Sequence, residues 1–314
     1  MENSLYWDVP RVEIGPRVLP RLFLGDNGFL AKFGSKLSDT EVEERMRFAS
    51  RRASLGLAAG EERCLKAAYQ VRTNQNNSDR TPILYHADLS FRVNNKPTEF
   101  RRCAASLLRW LMKANPAFIE QDPVLGHFLA KYEPYAAYTE DELRGISIDH
   151  LAWQEQLRLL SQYRPDAVSV GGDYLEFALV ADRLDLVEEG LNLFHEQCLR
   201  LSMPLVFTTY VGPYIWRDSA GLPTIADALL LPVNARGLAM LPNRDDLLTW
   251  AGAVNKPVIG MHTLGSGHVP LEEALSYTFT EADIPVSVIG ASSYEHIDVL
   301  LTTAQALLGK QVSH

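Results

Sequence analysis

Residues 256–298, KPVIGMHTLGSGHVPLEEALSYTFTEADIPVSVIGASSYEHID, repeat one pattern twice: a strand, a glycine loop and a helix. Residues 257–261 and 286–289 are short apolar runs rich in β-branched side chains, which is typical of strands buried on both faces. Glycines follow each run, and a helical pattern follows the glycines. The stretch therefore predicts the last two βα units of a parallel barrel.

The two glycine loops of this stretch are the first candidate binding site. A helix N-terminus presents free backbone N–H groups and the positive end of the helix dipole, and phosphate groups often bind at the loops after strands 7 and 8 of such barrels. Ser292 or Ser293 can cap the last helix. We therefore expect Gly265, Ser266 and Gly267, together with the two serines, to bind an anionic group of the substrate.

The same alternation continues toward the N-terminus. Helical patterns separate six further apolar runs that suit strands, at residues 18–24, 55–59, 82–85, 167–170, 204–207 and 228–231. Eight strands with right-handed crossovers favour closure of the sheet. We therefore predict an α/β fold, a (β/α)8 TIM barrel forming a single domain over residues 1–314, with an N-terminal hairpin that begins at residue 12.

Residues 92–160, between the third and fourth strands, are too many for an ordinary βα loop and contain several helical patterns. They predict a helical insertion after strand 3. Two placements are open, because such helices can form a lid over the barrel mouth or pack outside the barrel.

The composition argues against some classes of partner. The net charge is −9 and no basic run is present, which is unfavourable for binding nucleic acid or an anionic membrane surface. No apolar run has the length of a membrane span, and the first residues lack the features of a secretory signal. We therefore expect a cytoplasmic protein with a small-molecule substrate, and a homo-oligomer stays open.

Both ends of the chain resemble the aldo-keto reductase superfamily of (β/α)8 barrels. Residues 12–29, VEIGPRVLPRLFLGDNGF, are similar to the hairpin and first strand that open those proteins. Residues 256–267 resemble their seventh strand, and residues 288–301 resemble their eighth strand with its phosphate-binding helix. The resemblance implies a barrel that binds NADPH and reduces carbonyl groups with a tetrad of Asp, Tyr, Lys and His.

The chain departs from this tetrad at each strand that should carry it. Strand 2 ends in GEE at residues 60–62, strand 3 in YHAD at residues 85–88 and strand 4 in GGD at residues 171–173. None of these ends has the residue that the family has there. Because hydride transfer to a carbonyl needs a proton donor tuned by those neighbours, the sequence indicates a divergent branch of the fold.

Acids and bases at the strand ends would meet at the barrel mouth. In an alternating strand His86 and Asp88 share a face, so we predict that His86 is a general base and that Asp88 orients it. The alternative is a His86 that only satisfies backbone groups at the barrel rim. His262, at the end of strand 7, is a second predicted acid or base, and Asp173 and Glu61 complete the catalytic set.

Further strand-end residues are predicted to bind the substrate, namely Asp26, Asn27, Tyr174, Thr208, Tyr210 and Asn234. The sequence has no spacing typical of a metal site, so no metal is favoured. If a divalent metal binds, its ligands would be His86, Asp88 and His262.

The preferred hypothesis is an enzyme that performs acid–base chemistry of the lyase, isomerase, cyclase or hydrolase type on a small polar metabolite. The glycine loops would bind its phosphate or carboxylate group. This class is preferred to an oxidoreductase, and no cofactor is favoured, although a divalent metal and NADPH both stay open.

Two alternatives remain. In the first, the protein is an NADPH-dependent, aldo-keto-reductase-like oxidoreductase with a non-standard proton donor, which would be Tyr85, Tyr174 or Tyr210. In the second, it is a non-catalytic barrel that acts as a binding subunit, with a mouth plugged by Tyr132, Tyr135 and Tyr138.

Overall fold

The computed structural model describes residues 6–30, 35–74, 81–218 and 222–311. The strands are β1 (Arg11–Ile14), β2 (Arg17–Pro20), β3 (Leu22–Gly25), β4 (Gly56–Ala59), β5 (Ile83–Ala87), β6 (Phe91–Val93), β7 (Lys96–Pro97), β8 (Ser147–Ile148), β9 (Ala167–Gly171), β10 (Leu205–Thr208), β11 (Ala228–Pro232), β12 (Val258–Met261) and β13 (Val286–Gly290).

The helices are α1 (Asp39–Arg52), α2 (Glu62–Thr73), α3 (Phe100–Ala114), α4 (Pro116–Gln121), α5 (Pro123–Tyr132), α6 (Glu140–Leu143), α7 (His150–Tyr163), α8 (Asp173–Val180), α9 (Leu184–Leu201), α10 (Gly212–Asp218), α11 (Leu222–Ile225), α12 (Arg244–Val254), α13 (Leu271–Ser276) and α14 (Tyr294–Gln311). None of those in the described ranges combines the length and the apolar character needed to cross a membrane.

Eight strands form a closed parallel barrel in the order β3-β4-β5-β9-β10-β11-β12-β13. Each strand pairs with the next barrel strand along the chain, and β13 closes the ring by pairing with β3, where Ile289 lies opposite Leu24. Helices cover the outside of the ring and bury the outward faces of the strands. The predicted (β/α)8 barrel with an N-terminal hairpin is confirmed.

The antiparallel hairpin β1–β2 closes the N-terminal end of the barrel. Its residues Ile14 and Leu19 are buried against side chains of the barrel interior, among them Phe23 and Leu84. The Phe23 ring lies over Gly56 of β4, where an added Cβ atom would be 2.2 Å from a ring carbon, so only glycine fits at this position. Because apolar side chains fill this end, the interior opens toward the C-terminal ends of the strands.

The insertion between β5 and β9 contains a small sheet as well as helices. Strands β6, β7 and β8 pair antiparallel in the order β7-β6-β8, which the sequence did not predict. Helix α7 packs against α2 and α9 in the outer ring, so the range 92–160 assigned to the insertion is too long at its C-terminal end. The reason is that α7 buries an apolar face, with Trp153 and Leu160, before the chain enters β9.

Candidate active site

A cavity of about 550 Å³ lies at the C-terminal ends of the barrel strands. Its floor consists of interior side chains of the barrel such as Leu84, Leu230 and Met261. The insertion supplies one wall, which is largely apolar and includes Phe100, Leu107, Leu108 and Leu111 of α3 with Leu125 and Phe128 of α5. We divide the polar side chains that line the cavity into two groups, each named after one of its members.

The first set, the His86 group, comprises Asp26, His86, Asp88 and Ser169. Leu84 points into the barrel interior, so the alternation of β5 places His86 on the same inward face. His86 Nδ1 lies 2.9 Å from Ser169 Oγ, and Nε2 lies 3.5 Å from Asp88 Oδ1. The predicted pairing with Asp88 is therefore present, with side chains that are 25% and 31% exposed, whereas a catalytic role stays a prediction.

Asp26 of this group is more buried than His86 and Asp88. Its side chain is at the end of β3, and Asp26 Oδ2 accepts a hydrogen bond of 2.6 Å from the backbone N–H of Gly60 at the end of β4. The carboxylate thus ties two neighbouring strand ends together while it lines the cavity. Asn27 lines the same side of the cavity.

The second set, the Tyr210 group, comprises Thr208, Tyr210 and His262. Tyr210 Oη lies 3.0 Å from His262 Nε2, and the two rings meet edge to face with centroids 5.4 Å apart. His262 has a left-handed backbone (φ 52°) directly after β12, a conformation that costs a residue with a Cβ atom about 1–3 kcal/mol. The surrounding barrel therefore holds this residue in a strained turn that leaves its ring at the cavity.

The electrostatics of His262 follow from its enclosure by protein atoms. Although the ring borders the cavity, desolvation lowers the pKa of His262 to about 4, and the negative charge of Asp122 opposes this effect only weakly. The imidazole is therefore neutral at physiological pH. A neutral imidazole next to a phenol can accept its proton or donate one back, depending on the tautomer.

Glu176 of α8 fixes the backbone that carries Tyr210. This side chain is buried, and its Oε1 atom accepts hydrogen bonds from Thr209 Oγ1 at 2.6 Å, from the Tyr210 N–H at 2.5 Å and from the Val211 N–H at 3.2 Å. Sequence reasoning missed Glu176 because it sits inside a helical pattern, where an acid ordinarily faces solvent.

Thr208 is notable for a polar atom without a partner. Its Oγ1 is buried at the cavity wall and makes no hydrogen bond within the described residues. The neighbouring strand approaches its backbone closely, because a Cβ atom on Gly171 would lie 2.0 Å from the carbonyl oxygen of Thr208. A buried hydroxyl without a partner is costly, so a polar group of a ligand would stabilise it.

Several predicted site residues are not at the cavity. Glu61 lies 3.6 Å from Arg63 in an ion pair and is absent from the described lining. Asn234 is fully buried and bonds to both the carbonyl and the N–H of Leu238, so it shapes its own loop. Tyr85 Oη donates a hydrogen bond to Gln156 of α7, so this hydroxyl faces the outer ring of helices. Burial raises the pKa of Tyr85.

Two further predicted residues, Asp173 and Tyr174, begin α8. Their side chains lie outside the described residues, so their roles stay predictions.

In the first glycine loop, predicted to bind an anion, most backbone N–H groups already donate hydrogen bonds within the loop. The N–H groups of Gly265, Gly267 and His268 donate to carbonyls of the same turn, so an anion there would rely on other donors. Ser266 and Gly267 nevertheless line the cavity. At the second loop, Ser293 Oγ caps α14 by accepting from the His296 N–H at 3.1 Å.

The second loop is also tied to the outer ring. The carbonyl of Ser292 accepts a hydrogen bond of 2.8 Å from Arg45 Nε in α1. Neither Ser292 nor Ser293 belongs to the described cavity lining.

The three residues named as ligands if a metal binds, His86, Asp88 and His262, do not form one cluster. Among the described residues, histidines, cysteines and carboxylates form no group of three that could hold a metal ion. His86 is in contact with Asp88, whereas His262 is hydrogen-bonded to Tyr210.

The three tyrosines of the insertion do not plug the mouth. Tyr132 lines the cavity, but Tyr138 Oη accepts from the Glu99 N–H and Tyr135 Oη accepts from Arg101. The insertion also brings Lys131 to the cavity, which strand-end reasoning could not find because this residue is on α5.

No protein-family model and no curated protein matches the sequence. Two solved structures whose descriptions name an aldo-keto reductase from Pseudomonas aeruginosa match at the level of structure. One has a TM-score of 0.55 at 12% identity, over 98% of this chain and 99% of that chain. The other has a TM-score of 0.53 at 12% identity, over 94% of each chain.

The chain has the aldo-keto reductase fold. The resemblance seen in the sequence is therefore confirmed at the level of the fold, with a low identity of 12% to both structures. The preference for a lyase, isomerase or hydrolase is wrong, because these structural neighbours are described as reductases and point to an oxidoreductase.

Proposed function

We propose that the protein is a nicotinamide-dependent oxidoreductase that interconverts a carbonyl group and an alcohol, with Tyr210 as the proton donor. The observation that carries the proposal is the hydrogen bond of 3.0 Å between Tyr210 Oη and His262 at the cavity of an aldo-keto reductase fold. Of the three tyrosines considered from the sequence, Tyr85 has its hydroxyl in the outer ring, and Tyr210 lines the cavity.

The cavity fits the nicotinamide end of such a cofactor. Apolar side chains of the floor suit a flat aromatic ring, and the unpartnered hydroxyl of Thr208 suits its amide group. For the phosphate end, the described lining offers the ammonium group of Lys131 and the hydroxyl of Ser266. We infer that these four features hold NADPH, the cofactor that the resemblance implies.

In this proposal, bound NADPH supplies the hydride that reduces the carbonyl carbon. Tyr210 donates its hydroxyl proton to the carbonyl oxygen, which becomes the alcohol. His262, kept neutral by burial, orients the phenol through Nε2 and returns a proton to Tyr210 from solvent. The neutral imidazole adds no positive charge that would hold the tyrosinate form.

The apolar wall from α3 and α5 points to the class of substrate. A carbonyl compound with an aliphatic or aromatic body would bury that body against Leu107, Leu111 and Phe128, at about 25 cal/mol per Å² of apolar area. We infer that the insertion is a lid over the mouth, and that aldehydes or ketones with apolar bodies react faster than short polar ones.

Cofactor binding and turnover test the proposal in two steps. NADPH at millimolar concentration should raise the melting temperature, and a panel of aldehydes from polar to apolar should oxidise NADPH at rates that increase with apolar area. A protein that shows neither a thermal shift nor NADPH consumption with any member of the panel would refute the assignment.

A further inference from the structure

A second concave site lies at the opposite end of the barrel from the candidate active site. It is a groove of about 630 Å³ whose lining includes Arg17 of β2, Arg72 at the end of α2, Arg164 after α7 and Arg200 at the end of α9. These residues precede the N-terminal ends of barrel strands, so the groove is on the face closed by the hairpin. We call it the arginine groove.

The charge of the arginine groove is opposite to that of the chain. Four arginines and one carboxylate, Asp166, line it, whereas the whole chain has a net charge of −9. The C-terminal ends of α2, α7 and α9 meet here, and each contributes about half a negative charge through its dipole. Their sum, about one and a half negative charges, is smaller than the excess of three positive charges, so the groove attracts anions.

Capping of helix carbonyls explains two of the four arginines. Arg72 binds the carbonyls of Tyr163 and Arg164 and forms an ion pair of 3.2 Å with Asp166, and its side chain is only 7% exposed. Arg17 Nε donates to the carbonyl of Ser202 at 2.8 Å. These contacts are structural, because they satisfy carbonyls that the helices leave open.

The other two arginines do not cap carbonyls. The Arg164 guanidinium makes no hydrogen bond or ion pair with the described residues, and its backbone is left-handed (φ 44°) at a position that commonly carries glycine. Arg200 is 71% exposed, and its contact with the described part of the chain is a long one, 3.5 Å from Glu196. Two guanidinium groups therefore remain available at a concave surface that already contains two others.

We propose that the arginine groove binds a small anion that carries a phosphoryl group. Guanidinium groups match phosphate oxygens with paired hydrogen bonds, and the volume exceeds that of inorganic phosphate. Tyr69 also lines the groove, and Arg72 lies over its ring at 5.4 Å from the centroid in a cation–π contact. A planar group attached to the phosphate therefore has an aromatic surface nearby.

Pyrophosphate and inorganic phosphate are suitable probes for the full chain. Calorimetric titration at constant ionic strength would be compared between the wild type and a variant with Arg164→Glu and Arg200→Glu. Both residues are exposed, so the variant should keep the melting temperature of the wild type. A control with Arg51→Glu and Arg144→Glu makes the same change in net charge at exposed arginines outside the described lining.

We expect pyrophosphate affinity to fall about tenfold or more in the groove variant and to change less than about twofold in the control. AMP should bind the wild type more tightly than inorganic phosphate if Tyr69 contacts the base. An equal loss in both variants, no loss in the groove variant, or no binding to the wild type would each overturn the proposal. The first would indicate a general effect of charge, and the second a site elsewhere, such as the candidate active site.

Discussion

The two polar groups of the cavity differ in charge and exposure more than in residue type. The His86 group includes two carboxylates, Asp26 and Asp88, and its His86–Asp88 pair is about a quarter to a third exposed. The Tyr210 group has a phenol, a hydroxyl and a neutral histidine, and the buried Glu176 holds its backbone. A donor to a developing alkoxide is favoured where no negative side chain faces it, so under the proposed function Tyr210 transfers the proton and the His86 group contacts the substrate.

Removing the Tyr210 hydroxyl is the strongest test of this division. Tyr210→Phe should lower turnover about a hundredfold or more, because general acid catalysis contributes that much, while NADPH binding stays near the wild-type level. Steady-state rates with an apolar aldehyde would measure the change.

Tyr85→Phe is the matched control, since it removes a phenol hydroxyl that bonds to Gln156 outside the cavity. Full activity in Tyr210→Phe would show that the proton comes from another group.

Glu176 should have the next largest effect, through position and not through contact with substrate. Glu176→Ala removes the acceptor of the Thr209 hydroxyl and of the Tyr210 N–H, whereas the Val211 N–H keeps Thr209 Oγ1. At about 1–3 kcal/mol for a lost partner, the variant should lower kcat about tenfold with little change in KM. Glu176→Gln keeps an oxygen at this place and should recover most of the rate.

Melting temperatures would separate the two roles of Glu176. If the alanine variant is destabilised but keeps its kcat, Glu176 supports the fold alone and does not position Tyr210.

Desolvation of the half-buried His262 ring predicts a dependence of stability on pH. Its folded pKa of about 4 is below the ordinary value of about 6.5, so protons bind preferentially to the unfolded chain. The stability that the neutral His262 allows is fully present above pH 6.5. As the pH falls from 6.5 toward 4, the free energy of unfolding decreases by up to about 1.4 kcal/mol per pH unit.

Urea unfolding of the wild type and of His262→Gln across this range would measure the effect. The difference in unfolding free energy between the two proteins should shrink as the pH falls. Parallel pH profiles would contradict a neutral, buried imidazole.

The smallest effect on turnover is expected in the His86 group. Asp88→Asn should change turnover less than about fivefold, because a partly exposed pair contributes about 0–1 kcal/mol and His86 keeps its contact with Ser169. Initial rates under the conditions used for Tyr210→Phe would give a direct comparison. A larger loss in Asp88→Asn than in Tyr210→Phe would reverse the roles of the two groups.

The strands of the barrel could be predicted because each is a local apolar run that lies between helical patterns. The start of α1 is also specified locally, because Ser38 and Glu41 are three residues apart and form a capping box. Strands β6, β7 and β8 were missed, since segments of two or three residues are too short to show a period.

The candidate site was harder to predict because its key contacts cross the barrel. The pair His86 and Asp88 follows from the alternation of one strand, and the structure places the two side chains together. The pair Tyr210 and His262 joins two strand ends that are 52 residues apart, and no local pattern specifies which strand-end side chains will meet. Lys131 and Glu176 lie on helices, where their place at the site depends on how those helices dock.

Closure of the barrel by the hairpin β1–β2 imposes an order on the passage of ligands. Ile14 and Leu19 fill one end, so a ligand on the floor near Leu84 and a ligand against the wall from α3 approach from the same end. The deeper ligand must then enter first and leave last. Product-inhibition kinetics would record this as a compulsory binding sequence, set by a hairpin that has no contact with the chemistry.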